Sequence, residues 1–187
     1  MNTAALCQRD SSCLVIIDMQ QKLAAAMATE AMQAVTRNCG LLIQAATLLE
    51  IPTIYTEQYP KGLGPTLPEL AELLSGKPRI EKTAFACCDE PAFCRHLTKD
   101  KPHIILAGME AHICILQTAV RLKQQDTNRQ VFVAEDAVIS RNSSARMNAM
   151  ERLREAGVIV SNTESIIFEW LGKAEGDEFK QISRLLK

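Results

Sequence analysis

Short apolar runs alternate along the chain with longer segments in which apolar residues recur at helical spacing. The runs are rich in β-branched residues, which is typical of strands buried on both faces of a parallel sheet. They predict six strands, at residues 13–17, 53–56, 79–82, 103–107, 130–134 and 158–160. The helical pattern predicts helices at about 30–50, 66–74, 91–98, 113–125, 143–155 and from 163 onward, with a polar break near Gly176.

Strands that alternate with helices form βαβ units, and these build a mostly parallel sheet with helices on both faces. The sequence therefore predicts a single α/β domain over 1–187, with a six-stranded sheet in a Rossmann-like, three-layer arrangement. Its core spans about 12–170, and a C-terminal helix covers 176–186. The segment 57–68 holds three prolines and two glycines, which predicts an irregular loop. Within it, Thr66 and Glu69 have the spacing of a helix capping box.

Polar or reactive residues follow four of the predicted strands. The carboxyl ends of parallel strands meet at one edge of a sheet, which is where ligands bind in this class of fold. We therefore expect a site at this edge, built from Asp18 after the first strand, Glu57 and Gln58 after the second, Lys82 at the end of the third, and 108–114 after the fourth.

The composition narrows the function classes. Among 187 residues, 21 Lys and Arg balance 22 Asp and Glu, and aromatic residues make up only 4%. This balance argues against a nucleic-acid surface, and no uncharged apolar run is long enough to cross a membrane. Seven cysteines without a Cys-x-x-Cys pair fit free thiols in a reducing compartment, so we expect a cytoplasmic protein. The expected partner is a small-molecule substrate.

Three short motifs resemble the isochorismatase-like cysteine hydrolase superfamily. They are Asp18 within Ile-Ile-Asp-Met-Gln, Lys82 within Glu-Lys-Thr-Ala-Phe, and Cys114 within Gly-Met-Glu-Ala-His-Ile-Cys. Their order and their position after strands match the superfamily over about residues 12–170. The stretch 55–65, together with Met-Glu-Ala-His before the cysteine, resembles the subgroup of isochorismatase domain-containing proteins.

The resemblance implies a covalent mechanism. Cys114 is the nucleophile, Asp18 is the base that takes its proton, and Lys82 is the cation that favours the thiolate. The family also has a cis peptide bond, here Met109–Glu110. The backbone amides of Glu110 and Cys114 form the oxyanion hole. We therefore expect attack on a small amide or a related C–N bond, through a thioester acyl-enzyme.

Several further side chains are candidates for substrate binding, and each has a structural alternative. His112 could be an acid, a pocket residue or a structural residue, and the polar side chains at 57 and 59 could instead serve packing or a subunit contact. The candidates are Gln20, Glu57, Tyr59, Phe85 and His112.

Departures from the superfamily limit the assignment. Nicotinamidases carry an Asp-and-His metal site after the second strand, but residues 58–68 hold neither residue type. We therefore expect no metal and no cofactor. Isochorismatases that cleave a vinyl ether usually lack the cysteine, which is present here as Cys114. Two alternatives stay open: a vinyl-ether hydrolase, and a non-catalytic binding or assembly module. The superfamily also implies a homo-oligomer.

Overall fold

A six-stranded parallel sheet forms the centre of the molecule, whose structure, a computed structural model, describes residues 5–187. The strand order is β3-β2-β1-β4-β5-β6, and every neighbouring pair runs parallel. The strands are β1 (Ser12–Ile17), β2 (Thr53–Gln58), β3 (Arg79–Lys82), β4 (His103–Met109), β5 (Gln130–Ile139) and β6 (Ile159–Ser161).

Helices cover both faces of this sheet, which confirms the predicted three-layer α/β fold. They are α1 (Gln21–Ala24), α2 (Thr29–Leu48), α3 (Pro60–Leu63), α4 (Pro68–Leu73), α5 (Pro91–Cys94), α6 (Leu116–Gln125), α7 (Ser143–Glu155), α8 (Thr163–Leu171) and α9 (Gly176–Leu185). Helices α2, α4, α8 and α9 contribute to the core on one face, and α5, α6 and α7 contribute to the core on the other.

The central strands are buried on both sides, as the unbroken apolar runs predict. All six residues of β1 and all seven of β4 are buried. Because successive side chains of a strand point to opposite faces, Leu14 and Ile16 join the core under α2. Val15 and Ile17 join the core under α6 and α7. Strand β1 thus binds the two layers together.

The strand order reverses between β1 and β4, and this reversal positions the site. From β1 the chain passes to β2 and β3 on one side, and it then returns to β4 on the other side of β1. In open α/β sheets the ligand crevice lies outside the carboxyl ends of the two strands at this switch point. Residues that directly follow β1 and β4 are therefore brought together.

Gly108 allows these two strands to approach closely. It has a φ of +120°, and a Cβ at this position would lie 2.0 Å from the carbonyl oxygen of Ile17. Any side chain would therefore collide with the backbone of β1. The glycine that precedes the candidate site is required by the geometry of the strand pair.

The structure corrects several local predictions. The segment 57–68 is not wholly irregular, because β2 extends to Gln58 and α3 forms a short helix. The proposed capping box is wrong: Leu67 is the residue before α4, no side chain caps the helix, and the Thr66 hydroxyl instead donates to Glu57. Helix α5 ends at Cys94, earlier than predicted, whereas β5 runs on to Ile139.

The structure also bears on two broader expectations, which concern the cysteines and membrane-spanning helices. All seven cysteines are free thiols. Between residues 5 and 187, no helix is both long and apolar enough to span a membrane.

Candidate active site

A buried ion pair lies at the switch point of the sheet. Asp18 directly follows β1 and has a φ of +52°, and its carboxylate Oδ2 lies 2.7 Å from Nζ of Lys82. Both side chains are fully buried. The other carboxylate oxygen accepts a hydrogen bond from the hydroxyl of Thr56 at 2.7 Å. Such a pair persists in the interior because each charge has a close partner.

Cys114 joins this pair from the other side of the switch point. It lies in a widened first turn of the helix after β4, in which the Ile115 amide donates to the Glu110 carbonyl at 3.2 Å. The Cys114 sulfur is 3.4 Å from Lys82 Nζ and is almost fully buried. The structure thus brings together the three residues that the sequence motifs single out.

Burial and two neighbouring charges act in different directions on the pKa of the Cys114 thiol. Burial raises the pKa of Cys114, the Asp18 carboxylate raises it further, and the Lys82 ammonium only partly opposes them. The net direction favours the neutral thiol, although the lysine on its own favours the thiolate.

Lys82 itself stays charged in this environment. Burial lowers the pKa of its ammonium, but the nearby Asp18 carboxylate and the thiols of Cys87 and Cys114 outweigh burial and raise that pKa overall. Lys82 also donates towards the carbonyl oxygens of Ala84 at 3.2 Å and of Phe85 at 3.4 Å. The lysine is therefore a fixed positive charge between the carboxylate and the sulfur.

The peptide bond between Met109 and Glu110 is cis, as the resemblance implies. The Glu110 side chain is buried and points to the chain after β5, where it accepts a hydrogen bond from the Arg141 amide at 3.0 Å and pairs with the Arg141 guanidinium. This carboxylate anchors the start of the turn that contains Cys114. The assignment of the Glu110 and Cys114 amides to an oxyanion hole stays a prediction.

Gln20 and Glu57 lie in the frame of the site and not on its open surface, which corrects their assignment as substrate contacts. Gln20 is fully buried, and its side-chain amide bonds to both the N–H and the carbonyl of Gln58. Glu57 is also buried, and its Oε1 accepts hydrogen bonds from the amide and the hydroxyl of Thr66. Both side chains fix the loop that follows β2.

Tyr59 and Phe85 lie at the outer edge of the candidate site, near Lys82. Both residues are more than half exposed, and the Tyr59 amide donates to the Lys82 carbonyl. The Tyr59 ring rests on Gly62, where a Cβ would lie only 2.4 Å from it. A cavity of about 280 Å³ opens beside Lys82, and it is lined by Tyr59, Pro60, Lys61, Glu81, Lys82, Thr83 and Glu90. The lining includes Lys82 but neither Asp18 nor Cys114.

His112 is held by a neighbouring loop. Its Nδ1 lies 2.9 Å from the hydroxyl of Ser140, and the same hydroxyl accepts from the His112 amide at 3.4 Å. The ring is partly exposed. Its role as a substrate contact stays a prediction, because its hydrogen bond to Ser140 serves equally well to fix the turn before Cys114.

Two more residues contact the cluster. Thr56, which the sequence did not single out, holds Asp18, and Gln58, which was expected at this edge without an assigned role, has its Oε1 2.5 Å from Lys82 Nζ and 4.0 Å from the Cys114 sulfur. The signal that finds them is the alternation of side chains along β2. Thr56 and Gln58 share the face that meets the site, whereas Glu57 points to the opposite face.

A third such residue is Cys87, a buried thiol close enough to Lys82 and Asp18 to sense their charges. Its pKa is raised to about 12, chiefly by burial, while Lys82 lowers it. Its amide donates to the Thr118 hydroxyl at 2.9 Å. Within residues 5–187, no group of three or more His, Cys, Asp or Glu side chains has the arrangement of a metal site.

The family to which the sequence is similar agrees with the geometry of this site. The model of the isochorismatase domain matches residues 12–165, which include Asp18, Lys82 and Cys114. The chain belongs to the isochorismatase domain family. Isochorismatase domain-containing protein 2 of Danio rerio is 40% identical over 177 residues, which are 94% of this chain and 86% of that protein.

Solved structures extend the comparison of this isochorismatase domain. A structure described as MAR1 ribonuclease from Caenorhabditis elegans is 37% identical, with a TM-score of 0.90 over 97% of this chain and 92% of that chain. The YcaC gene product of Escherichia coli, described as an octameric hydrolase of unknown specificity, has a TM-score of 0.89 at 21% identity, over 98% and 90% of the two chains. At this lower identity the likeness shows the fold alone.

Proposed function

We propose that this protein is a cysteine hydrolase that cleaves a small amide or a related C–N bond without a metal. The observation that carries the proposal is the buried cluster in which Lys82 Nζ lies 2.7 Å from Asp18 and 3.4 Å from the Cys114 sulfur. A nucleophile, an adjacent base and a fixed cation are the parts that acyl transfer requires.

The reaction begins when the Cys114 sulfur attacks the carbonyl carbon of the substrate. The thiol proton passes to the Asp18 carboxylate, so that no free thiolate has to form in the buried site. The C–N bond then breaks, and Asp18 returns this proton to the leaving nitrogen. Ammonia or an amine departs, and a thioester on Cys114 remains.

Water completes the cycle. Asp18 takes a proton from the water molecule, whose oxygen attacks the thioester carbonyl. As the C–S bond breaks, Asp18 returns this proton to the Cys114 sulfur, and a carboxylic acid is released. The backbone amides of Glu110 and Cys114 donate to the oxyanion in both steps. Lys82 keeps its proton throughout and stabilises the negative charge that moves between Asp18 and the sulfur.

The size of the cavity beside Lys82 and the net charge of the chain favour a small substrate. The adjacent cavity measures about 280 Å³, and the formal net charge of the chain is −1. A polyanion such as RNA is bound by an extended positive surface. Because the C. elegans relative is described as a ribonuclease, RNA nevertheless belongs in the substrate screen as a separate arm.

The test is a screen for ammonia or amine release from small amides, carbamoyl compounds and lactams. Cys114→Ala is expected to abolish turnover, whereas the matched variant Cys94→Ala, which removes an exposed thiol, retains it. Intact-mass spectrometry is expected to detect an acyl adduct on Cys114. Unchanged turnover in Cys114→Ala would contradict the mechanism.

The two other hypotheses give different results in the same assays. A vinyl-ether hydrolase turns over its substrate without any acyl adduct on Cys114. A binding or assembly module shows no turnover and loses its partner when surface helices are altered, but not when Cys114 becomes alanine.

We also propose that the chain self-associates in a reducing, cytoplasmic setting. The E. coli neighbour is described as octameric, and Met147 and Phe168 are exposed apolar side chains on the helices here. Light scattering after gel filtration is expected to give a mass several times the 20.7 kDa of one chain. A mass of one chain would contradict self-association.

A further inference from the structure

The side chain of Gln58 is fixed at both ends beside the cluster. Its Oε1 accepts a hydrogen bond from Lys82 Nζ at 2.5 Å, and its Nε2 donates to the Thr83 carbonyl at 2.8 Å. These partners define which end is oxygen, because the reverse orientation would direct an NH₂ group at an ammonium. The amide therefore presents one acceptor, in one orientation, to the lysine.

The main chain of Gln58 is fixed as well. The Gln20 side chain accepts from the Gln58 amide at 2.7 Å and donates to the Gln58 carbonyl at 3.0 Å. The same Gln20 amide also donates to the Gly64 carbonyl at 2.7 Å. The buried Gln20 thus connects the end of β2 to the loop after it, and the backbone of Gln58 cannot move without breaking these hydrogen bonds.

The Lys82 ammonium has more hydrogen-bond acceptors around it than it has N–H donors. An ammonium has three N–H donors. Around Lys82 Nζ lie a carboxylate oxygen of Asp18, Oε1 of Gln58, the Cys114 sulfur and two backbone carbonyls. Among these, the carboxylate and the Gln58 oxygen are the two closest, so they determine where the ammonium sits.

We infer that Gln58 is a positioning residue that holds the Lys82 ammonium against Asp18 and Cys114. This inference rests on the proposed function. Without the amide oxygen, the ammonium is free to turn toward the open cavity, whose lining includes the carboxylates of Glu81 and Glu90. A neutral acceptor also suits the task, because a carboxylate at this position would add a negative charge about 4 Å from the sulfur.

The experiment measures the rate at which iodoacetamide alkylates Cys114, by peptide mass spectrometry between pH 7 and 10. Gln58→Met keeps the length of the side chain but removes the acceptor, and it is expected to lower the rate at least about tenfold, the effect of one pKa unit. Gln58→Glu is expected to lower it further and to move the pH profile upward. Gln124→Met, an exposed glutamine on α6, is the matched control and should react as the wild type does.

A double-mutant cycle separates positioning from a general structural effect. In a Lys82→Met background, Gln58→Met is expected to change the rate less than about twofold, because the group it positions is gone. Equal fold-changes in both backgrounds would overturn the inference, as would a wild-type rate in Gln58→Met. Thermal melting followed by Trp170 fluorescence checks that each variant is folded.

The same rates distinguish a failure of the proposed function from a failure of the positioning role of Gln58. If the Cys114 rate does not depend on Lys82 at all, the proposed function is contradicted, and the inference fails with it. If the rate depends on Lys82 but not on Gln58, this inference alone is contradicted.

Discussion

Lys82 Nζ lies 2.7 Å from the Asp18 carboxylate and 3.4 Å from the Cys114 sulfur, so one buried ammonium joins the ends of three parallel strands. Strand β3 ends at Lys82, while Asp18 and Cys114 follow β1 and β4. The contact depends on the switch in strand order, which places the ends of β1 and β4 side by side. The chemistry proposed for the site is therefore a consequence of the topology.

The close approach of β1 and β4 predicts that Gly108→Ala is severely destabilising. The new Cβ would lie 2.0 Å from the Ile17 carbonyl oxygen, at a φ of +120°. We expect a loss of at least about 4 kcal/mol in the free energy of unfolding, or failure to fold. Gly76→Ala is the control, because its φ is +76° with no atom within 4 Å. Urea unfolding of Gly76→Ala is expected to show a loss of only about 1–2 kcal/mol, the torsional part alone. Equal losses in the two variants would contradict the argument.

The hydrogen bond from Thr56 to Asp18 predicts a second effect on stability. Thr56→Val keeps the shape of the side chain but removes the donor to a buried carboxylate at 2.7 Å. We expect a loss of about 1.5–3 kcal/mol in the free energy of unfolding, because the acceptor is charged. Thr53→Val, on the same strand, removes a longer bond of 3.3 Å to a neutral carbonyl. Its expected loss is about 0.5–1.5 kcal/mol. Urea titrations that reverse this order would contradict the prediction.

Buried thiols predict a loss of stability at high pH. Burial raises the pKa of Cys7, Cys13 and Cys87 to about 12. In the unfolded chain these thiols ionise near pH 8.5. Because the folded pKa is the higher one, the stabilisation is complete below about pH 8.5 and is lost as the pH rises toward 12.

Each such thiol contributes a slope of up to about 1.4 kcal/mol per pH unit in this range. Unfolding by urea at pH 8 and pH 10, with reductant present, measures the combined slope. The slope in Cys13→Ala is expected to be smaller by the share of one thiol. A free energy of unfolding that stays constant between these pH values would contradict the prediction.

The sequence predicted the fold and the central cluster because both depend on local signals. Unbroken apolar runs define the strands, and each motif residue lies at or just after a strand end. Glu57 shows where this approach failed. The sequence placed Glu57 and Gln58 together after a strand that ends at 56, but β2 continues to Gln58, and its alternation turns Gln58 toward the site, as expected, and Glu57 away.

Other features depend on contacts between distant segments. Thr66 has the local spacing of a helix capping residue, yet its hydroxyl donates a hydrogen bond to the buried carboxylate of Glu57. The direction of the Cys114 pKa likewise depends on burial by the surrounding elements, which outweighs the neighbouring lysine. Local sequence identifies the charged neighbours of a thiol but not how much water remains around it.

The most direct test of the central claim is the rate at which iodoacetamide alkylates Cys114 at pH 7.5 in the wild type, Asp18→Asn and Lys82→Met. The exposed thiol of Cys94 serves as the internal reference in each digest. Because Asp18 is the proposed acceptor of the thiol proton and Lys82 lowers the pKa of Cys114, the rate is expected to fall in both variants. A rate that equals or exceeds that of the wild type in either variant would contradict the account of a neutral thiol held between a base and a cation.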